Sequence, residues 1–520
     1  MKTLGIDVGT GGTRALLVDE RGRVVCSATS DHAPILCSRP GWAEQEPEDW
    51  WRATLQAVRD CLAKSGTNPR EILGIGLSGQ MHGMVLLDAA GKVLRPAIIW
   101  CDQRTEEQAK AIAARVGAEE LIHLTANPAL TNFTLTKLWW VRQYEPEVWS
   151  QIRSLLLPKD YVRFRLTGAR ATDVADASGT LLLDVARRQW SQTMLEVSGI
   201  DASILPQLFE SQEIAGEISA EAAQLTGLLQ GTPVVAGAGD QAAGAVGMGI
   251  VQSGAVNAII GSSGVVFAAT DAPCLDPKGR LHTFCHAMPN RWHVMGVTQA
   301  AGLSLQWFRD QFGTISHNGN QYESLMKEAS EAPAGAEGLL WAPYLLGERT
   351  PHLDPEARGV LFGLTVRHTR AHIIRAILEG VAFSLRDTLT ILAELNIPAR
   401  SIRLGGGGAR SALWRQIQAD IYGMPVDLLE AEEGAAFGAA LLAGVGTGIW
   451  PDVDAACKTA VRVAERIKPE AKTVSLLDRQ YAVYQKLYPA LRQISHEVQA
   501  LQIQEVADYQ AKSAAPIRSA

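Results

Sequence analysis

Positive charge is in short supply in this chain. Its 520 residues carry 48 lysines and arginines against 55 aspartates and glutamates, a formal net charge of −7. That balance argues against a nucleic-acid binder and against a polybasic membrane-surface protein. It says nothing against a small anionic ligand, which needs only a local positive potential. Cysteine is sparse and unpatterned. The seven (Cys26, Cys37, Cys61, Cys101, Cys274, Cys285 and Cys457) are odd in number and form no C-x-x-C pair, so neither a zinc site nor a disulfide framework is indicated. No apolar run is long enough to span a bilayer. Met1 to Asp7 enters a strand pattern at once, without the apolar stretch of a secretory leader. A cytoplasmic protein with no membrane partner is the expectation.

The rest of the composition is that of a soluble globular protein, 47% apolar and 20% charged. The length exceeds what one hydrophobic core usually supports, so two large domains are expected. No Pro/Ser-rich linker separates them, which places a hinge near the glycine-rich centre of the chain.

That centre is Thr232 to Gly247. Val234 to Ala238 reads as a buried strand that stops at Gly239-Asp240, where a helix of small residues begins. Open α/β sheets place ligands at the carboxyl ends of such strands. Alternatively, Asp240 is the N-cap of the helix that follows.

Near the amino terminus, Thr3 to Asp7 and Thr13 to Val18 read as strands joined by the turn Gly9-Thr10-Gly11-Gly12, with a third strand from Val24. Adjacent backbone N–H groups in such a turn suit phosphate oxygens. Asp7, at the strand end, is placed to hold a metal ion through water. The pattern recurs about 250 residues later as Ala258-Ile-Ile-Gly261-Ser262-Ser263-Gly264-Val, with Ile259 at the place of Asp7. Two such hairpins point to a duplicated fold with nucleotide held between the halves.

Other segments carry further candidates. Ile72 to Leu77 is a strand ending in Ser78-Gly-Gln80-Met81-His82-Gly83, which puts Met81 and His82 on a loop. Another strand ends at Trp100-Cys-Asp-Gln-Arg104. Phe133 to Trp140 starts a helix with an aromatic packing face. Leu157 to Gly168 is a loop and amphipathic helix, and Asp173 and Asp176 fall in a polar loop where turn formation is their expected role. Trp341 to His352 reads as a polar surface loop. Leu404-Gly405-Gly406-Gly407-Gly408-Ala409-Arg410-Ser411 is a strand, glycine loop and helix start on which a flat ring can lie. Tyr481, Tyr484, Leu487, Leu491 and Ile494 space out one last amphipathic helix, and the apolar period is lost after about Gln502.

Taken in order, these motifs resemble the FGGY carbohydrate kinases. The resemblance rests on Asp7-x-Gly-Thr10, Gln80-Met-His-Gly83, Gly239-Asp240, Gly261-Ser-Ser-Gly264 and Leu404 to Arg410. Gly359-Val-Leu-Phe-Gly363, with Ala376-Ile-Leu-Glu379-Gly, is similar to the family's carboxy-terminal signature. The likeness implies an α/β fold of two actin-like ATPase (ribonuclease H-like) domains flanking a deep cleft. An amino-terminal domain of residues 1–246 would bind sugar, and one of residues 247–495 would bind nucleotide. Residues 496–520 would form a flexible tail. It implies ATP and Mg2+ as cofactors and ATP-dependent phosphorylation of D-xylulose to D-xylulose 5-phosphate. Glycerol kinases carry Arg-Glu where this chain has Met81-His82, which favours a pentulose. The alternatives are a family kinase for ribulose, fuculose or gluconate, and an actin-like ATPase or sugar sensor.

Carried over residue by residue, the likeness makes Asp240 the general base and Asp7 the carboxylate needed for Mg-ATP. It makes Gln80, Met81, His82, Trp100, Asp240 and Gln241 the sugar contacts. Nucleotide falls to Gly9, Thr10, Gly11, Gly261, Ser262, Ser263, Gly405, Gly406, Gly407, Ala409, Arg410 and Ser411. An ordinary carboxylate pKa would leave Asp240 ionised at pH 7 but weakly basic. The expected partners are the sugar and ATP, and a homodimer is compatible with the chain. Cys101, standing where the family has Asn, bears on sugar preference.

Overall fold

The computed structural model describes residues 1–313, 321–430 and 434–513, with side chains to Leu501. It divides into two compact units, each discontinuous in sequence. The first gathers Met1–Val256, Phe267–Val294 and Leu429–Ala464; the second gathers Asn257–Val266, Met295–Leu428 and Glu465–Ala520.

The first unit is built on strands β1 (Lys2–Val8), β2 (Gly12–Asp19), β3 (Val24–Asp31), β4 (Ile72–Gly79), β5 (Ile214–Glu217), β6 (Pro233–Val235) and β7 (Ala238–Gly239). They lie in the order β5-β6-β4-β1-β2-β3, with β7 also paired to β4. The expected hairpin is present: β1 and β2 are antiparallel with Asp7 opposite Arg14, while β1 and β4 are parallel with Asp7 beside Ser78. Asp7 thus lies at the carboxyl ends of two central strands. The run expected as one strand from Val234 to Ala238 is broken. Gly237 adopts φ 75°, and a β-carbon there would lie 1.9 Å from the Leu77 carbonyl oxygen. The chain steps around β4 and re-pairs as β7, which delivers Asp240 to the same sheet edge as Asp7.

The helix Gly434–Gly446 also belongs to this unit, and it seats directly on the sheet. A β-carbon on Gly5 of β1 would lie 1.8 Å from the Ala436 oxygen, and one on Gly76 of β4 would lie 2.0 Å from the Ala439 oxygen. On its other side, Gly438 meets the helix Asp240–Gly247, where a β-carbon would fall 1.8 Å from the Ala243 oxygen. Backbone packs on backbone along this seam, which only glycine permits.

The second sheet comprises β8 (Ala255–Ile260), β9 (Gly264–Thr270), β10 (His282–Cys285), β11 (Trp292–Thr298), β12 (Ser401–Gly406), β13 (Val426–Leu429) and β14 (Val463–Ile467), in the order β10-β11-β9-β8-β12-β13-β14. The run β11-β9-β8-β12-β13 repeats the order β3-β2-β1-β4-β6, so the hairpin echo in the sequence is an echo of whole sheets.

Two further expectations are corrected. Trp341 to His352 is not a surface loop: Trp341, Tyr344, Glu348 and Thr350 are buried, and Glu348 accepts from Thr298 Oγ1 at 2.6 Å and Gln299 N at 3.0 Å. Its polar residues serve the interior. The last helix is two, Ala471–Tyr484 and Leu487–Ser513, and Ile494 is exposed rather than inward. The second of these takes in most of the expected tail; residues 514–520 lie outside the described residues.

Candidate active site

Two carboxylates define the site in the first unit. Asp240 is the first residue of the helix Asp240–Gly247. Gly239 is its N-cap and no side chain caps that end, so the capping role considered for Asp240 is not the one it has. Burial raises the Asp240 carboxyl to about 7, the charge of Asp7 adds to the rise, and bonds with Gln241 pull it back. The expectation of an ordinary carboxylate pKa is therefore overturned. Asp7 is raised to about 6 by burial, against a lowering by Ser78 and Arg14. Buried acids that feel one another's charge cannot both ionise freely. Asp7 Oδ1 is buried without a hydrogen-bond partner of good geometry, which suits a cation or water at that oxygen.

A hydrogen-bonded chain fixes the turn beside them. Trp100 Nε1 donates to Thr10 Oγ1 at 3.0 Å, and Thr10 Oγ1 donates to Gln80 Oε1 at 3.4 Å. Gln80 Nε2 donates to Gln45 Oε1 at 2.9 Å, and Gln45 Nε2 returns to the Thr10 carbonyl at 2.8 Å. Thr10, Gln80 and Trp100 are thereby brought together. The Gln80 side chain is 1% exposed and spent on this chain, whereas Trp100 is 43% exposed. The turn carrying Trp100 is held in place by Asp102, which accepts from Ala43 N at 2.6 Å and is forked by Arg104.

Met81 and His82 follow. The Met81 side chain lies over Gly239, where a β-carbon would fall 2.7 Å from Met81 Cγ and 3.2 Å from Asp176 Oδ1. His82 has φ 65°, in the left-handed region. Its Nδ1 lies 2.8 Å from the Gly179 carbonyl, so Nδ1 carries the proton and Nε2 is an acceptor in the neutral ring. Phe133 meets the ring edge-on at 4.9 Å between centroids.

Beneath this loop lies a charge cluster that the sequence reading missed. Lys159 Nζ contacts Asp160 Oδ1 at 2.6 Å, Asp173 Oδ2 at 2.7 Å and Asp176 Oδ2 at 3.2 Å, all with fully buried side chains. Arg163 joins Asp160 at 2.6 Å. Asp173 does shape a turn, accepting from Ala175 N and Asp176 N, but neither aspartate lies in a solvated loop. Burial lifts Asp176 well above the ordinary carboxylate range, with Lys159 opposing. Lys159 is raised because its three carboxylate neighbours outweigh the penalty of burial. A sequence signal was present: Lys159-Asp160 opens a helix whose next residues are apolar.

Of the nucleotide candidates, Gly9, Thr10 and Gly11 lie in the first unit, while Gly261 to Ser263 and Gly405 to Ser411 lie in the second and form their own group. Gly261 N bonds the Ser263 carbonyl at 2.9 Å, closing the turn, and leaves Gly261 and Ser262 exposed. Gly406, at φ 74°, backs onto the Ile260 carbonyl, where a β-carbon would lie 2.5 Å away. The glycine loop is thus laid against the second hairpin. Gly407 and Arg410 are exposed, Gly406 and Ser411 partly so, and Gly405 and Ala409 are buried. Ser411 Oγ is the N-cap of the helix Ala412–Tyr422, accepting from Trp414 N.

Among the described residues, one three-residue group has the spacing to ligate a metal, Asp354, Glu356 and His496 in the second unit. Asp354 Oδ2 there already accepts from Tyr488 at 2.8 Å and from His496 Nε2 at 2.7 Å, so it is a satisfied polar network.

Residues 2–247 match the FGGY family of carbohydrate kinases, N-terminal domain, and residues 256–447 match the C-terminal domain. A xylulose kinase of Bacillus subtilis (strain 168) is 41% identical over 485 residues, 93% of this chain and 96% of that one. The chain belongs to the FGGY carbohydrate kinases. A second relative, a xylulose kinase of Escherichia coli (strain K12), is 42% identical over 443 residues, covering 85% of this chain and 89% of its own. Among solved structures, a xylulose kinase from Rhodospirillum rubrum superposes with a TM-score of 0.89 at 32% identity, over 95% of this chain and 100% of that one. The repeated sheets are those of the actin-like, ribonuclease H-like fold of these kinases, and the chain is a sugar kinase of the family. No helix among the described residues is long and apolar enough to cross a membrane.

Proposed function

We propose that the chain transfers the γ-phosphoryl group of ATP to D-xylulose, giving D-xylulose 5-phosphate and ADP. The observation that carries this reading is the Asp7–Asp240 pair beside the Met81-His82 loop, in a chain whose full-length relatives of about 40% identity are xylulose kinases. Asp240 is the general base. A sugar hydroxyl is a poor nucleophile at neutral pH, and a carboxylate with a pKa near 7 combines availability with basic strength. The start of the helix holds it still, and Gly239 leaves the room that the Met81 side chain occupies. Met81 supplies an apolar wall, and His82 Nε2 offers an acceptor to a sugar hydroxyl. Trp100 and Gln241 complete the sugar side, with Gln80 fixing Thr10.

Most of phosphoryl transfer is positioning and charge stabilisation. Backbone N–H groups of Gly9, Thr10 and Gly11, and of Gly261, Ser262 and Ser263, are assigned to phosphate oxygens. Gly405, Gly406, Gly407, Ala409, Arg410 and Ser411 are assigned to the adenosine side. Asp7, with its buried unpartnered oxygen, would hold Mg2+. The ion, when bound, offsets negative charge on the phosphates. Sugar handling by residues 1–246 and nucleotide handling by 247–495 follow from these assignments, and seven free cysteines suit the cytoplasm.

The test is ADP release with ATP-Mg and D-xylulose, D-ribulose, L-fuculose, D-gluconate and glycerol in turn, with the phosphorylated carbon identified by NMR. D-Xylulose should exceed the others in kcat/KM by at least about tenfold, with phosphate on C5. A better substrate among the others overturns the assignment, and ADP release that ignores every sugar overturns the kinase reading.

A further inference from the structure

The helix Thr134–Tyr144 buries Leu135, Leu138, Trp140 and Val141, and among them it buries a lysine, Lys137, to 0% exposure. An ammonium in such surroundings is costly unless its donors are used. Lys137 Nζ donates to the His82 carbonyl at 2.7 Å and to the Asn132 carbonyl at 2.7 Å. Thr134 Oγ1 reaches the same His82 carbonyl at 3.2 Å. The acceptor is the main chain of the residue held at φ 65°, a conformation that a non-glycine side chain keeps only when its surroundings impose it. Packing alone would be met by leucine at this position. A long cationic stem ending on two carbonyls ties the start of this helix to the Met81-His82 loop.

We propose that Lys137 is a positioning residue for the sugar site: its ammonium, with the Thr134 hydroxyl, locks the His82 backbone and so sets where the imidazole and the Met81 side chain stand. Burial lowers Lys137 to about 7 and the charge of Asp102 opposes the fall, while the amino group keeps donors for both carbonyls in either protonation state. Asp102 anchors the turn that carries Trp100, so the amino group bonded to the His82 carbonyl also feels the carboxylate that holds the other stretch given to the sugar. The role rests on the reading of Met81-His82 as sugar contacts.

The experiment measures kcat and both KM values, for D-xylulose and for ATP, in Lys137→Met, Lys137→Arg, Thr134→Val and His82→Ala. Lys137→Met, which keeps the stem and removes the donors, should raise the sugar KM by about tenfold or more and leave the ATP KM within about twofold. Lys137→Arg should recover part of the loss, and Thr134→Val should show the same sugar-selective effect at about two- to fivefold. Should Lys137→Met fail to fold, Thr134→Val and Lys137→Arg carry the test. An unchanged sugar KM in the folded variants, or sugar and ATP KM rising together, overturns the positioning role. If His82→Ala leaves the sugar KM unchanged, the loop is not a sugar contact and the reading beneath the proposal fails. A Lys137→Met effect that persists in the His82→Ala background at full size would mean that Lys137 acts elsewhere, and it too overturns the proposal.

Discussion

Asp240 should impose an acid limb on catalysis close to pH 7. With a pKa of about 7 in the free enzyme, about 9% of the population is ionised at pH 6 and about 91% at pH 8. If the ionised form is the base, kcat/KM for the sugar rises about tenfold between those values. An aspartate at its ordinary pKa would give a flat profile over the same range. The cause is separable. Burial is the larger part and the Asp7 charge the second, so Asp7→Asn should move the limb toward lower pH even as it slows turnover. The same displacement has a thermodynamic face. Because the folded-state pKa is raised, the folded protein retains this proton between about pH 4 and 7 while the unfolded chain has released it, and stability falls as pH rises through that window. The full displacement of roughly 3 units corresponds to about 4 kcal/mol. The carboxylate is walled in but the residue as a whole is only half-buried, so about 2 kcal/mol is the working figure. Asp240→Asn should therefore lower kcat by roughly 100-fold or more, stabilise the fold by about 2 kcal/mol at pH 8, and lose that gain near pH 4. The assays are a coupled measurement of ADP release from pH 5.5 to 8.5 and urea unfolding of both proteins at pH 4.5 and 8. A flat wild-type profile, or an Asn variant with full turnover, refutes the argument.

Three other perturbations follow from the same structure. Asp7→Ala should raise the Mg2+ concentration needed for half-maximal rate by about tenfold and slow transfer; an unchanged Mg2+ titration would count against a metal role. Lys159→Met leaves three buried aspartates facing one another, which should cost roughly 3–5 kcal/mol at pH 8. The loss should shrink toward pH 5, where Asp176 and Asp173 can hold protons, and unfolding curves that do not depend on pH would contradict this. Gly438→Ala drives a methyl group into the Ala243 carbonyl, so it should destabilise by about 3 kcal/mol and depress kcat through the helix that bears Asp240. Retained midpoint and rate would show that the seam can yield.

The features legible in the sequence were those whose signal is local. Strand, glycine turn and strand can be read within a dozen residues, and both hairpins and the repeat of the sheets followed from Asp7 to Gly12 and Gly261 to Gly264. Asp240 at a strand end was legible for the same reason. Its protonation was not, because the rise comes first from burial and then from the charge of Asp7, more than 230 residues upstream in the chain. The Lys159 cluster was hidden because lysine and aspartate ordinarily signal solvent, and only the meeting of residues 159, 173 and 176 turns the group inward. Tyr344 and Glu348 were misplaced by the same rule. The membership of the helix Gly434–Gly446 in the first unit was also out of reach. Its small residues announce a close contact without naming the partner, which proves to be Gly5 and Gly76. Gly237 could be read as a place of close backbone approach, but not as the point where a φ of 75° ends the strand.

The glycine seam limits how this enzyme can be changed. Where side chains interdigitate, a neighbour can change rotamer to accept a substitution. Between Gly5, Gly76, Gly438 and the carbonyls they face there is no rotamer to change, so motion at any one backbone is passed on whole to the next. Asp240 is therefore registered to the central sheet like a tooth on a gear rather than a group on a hinge. A library for altered sugar preference, on the proposed reading, would be aimed at Met81, His82 and Cys101, while every member of the seam is a fixed point around which it must be drawn.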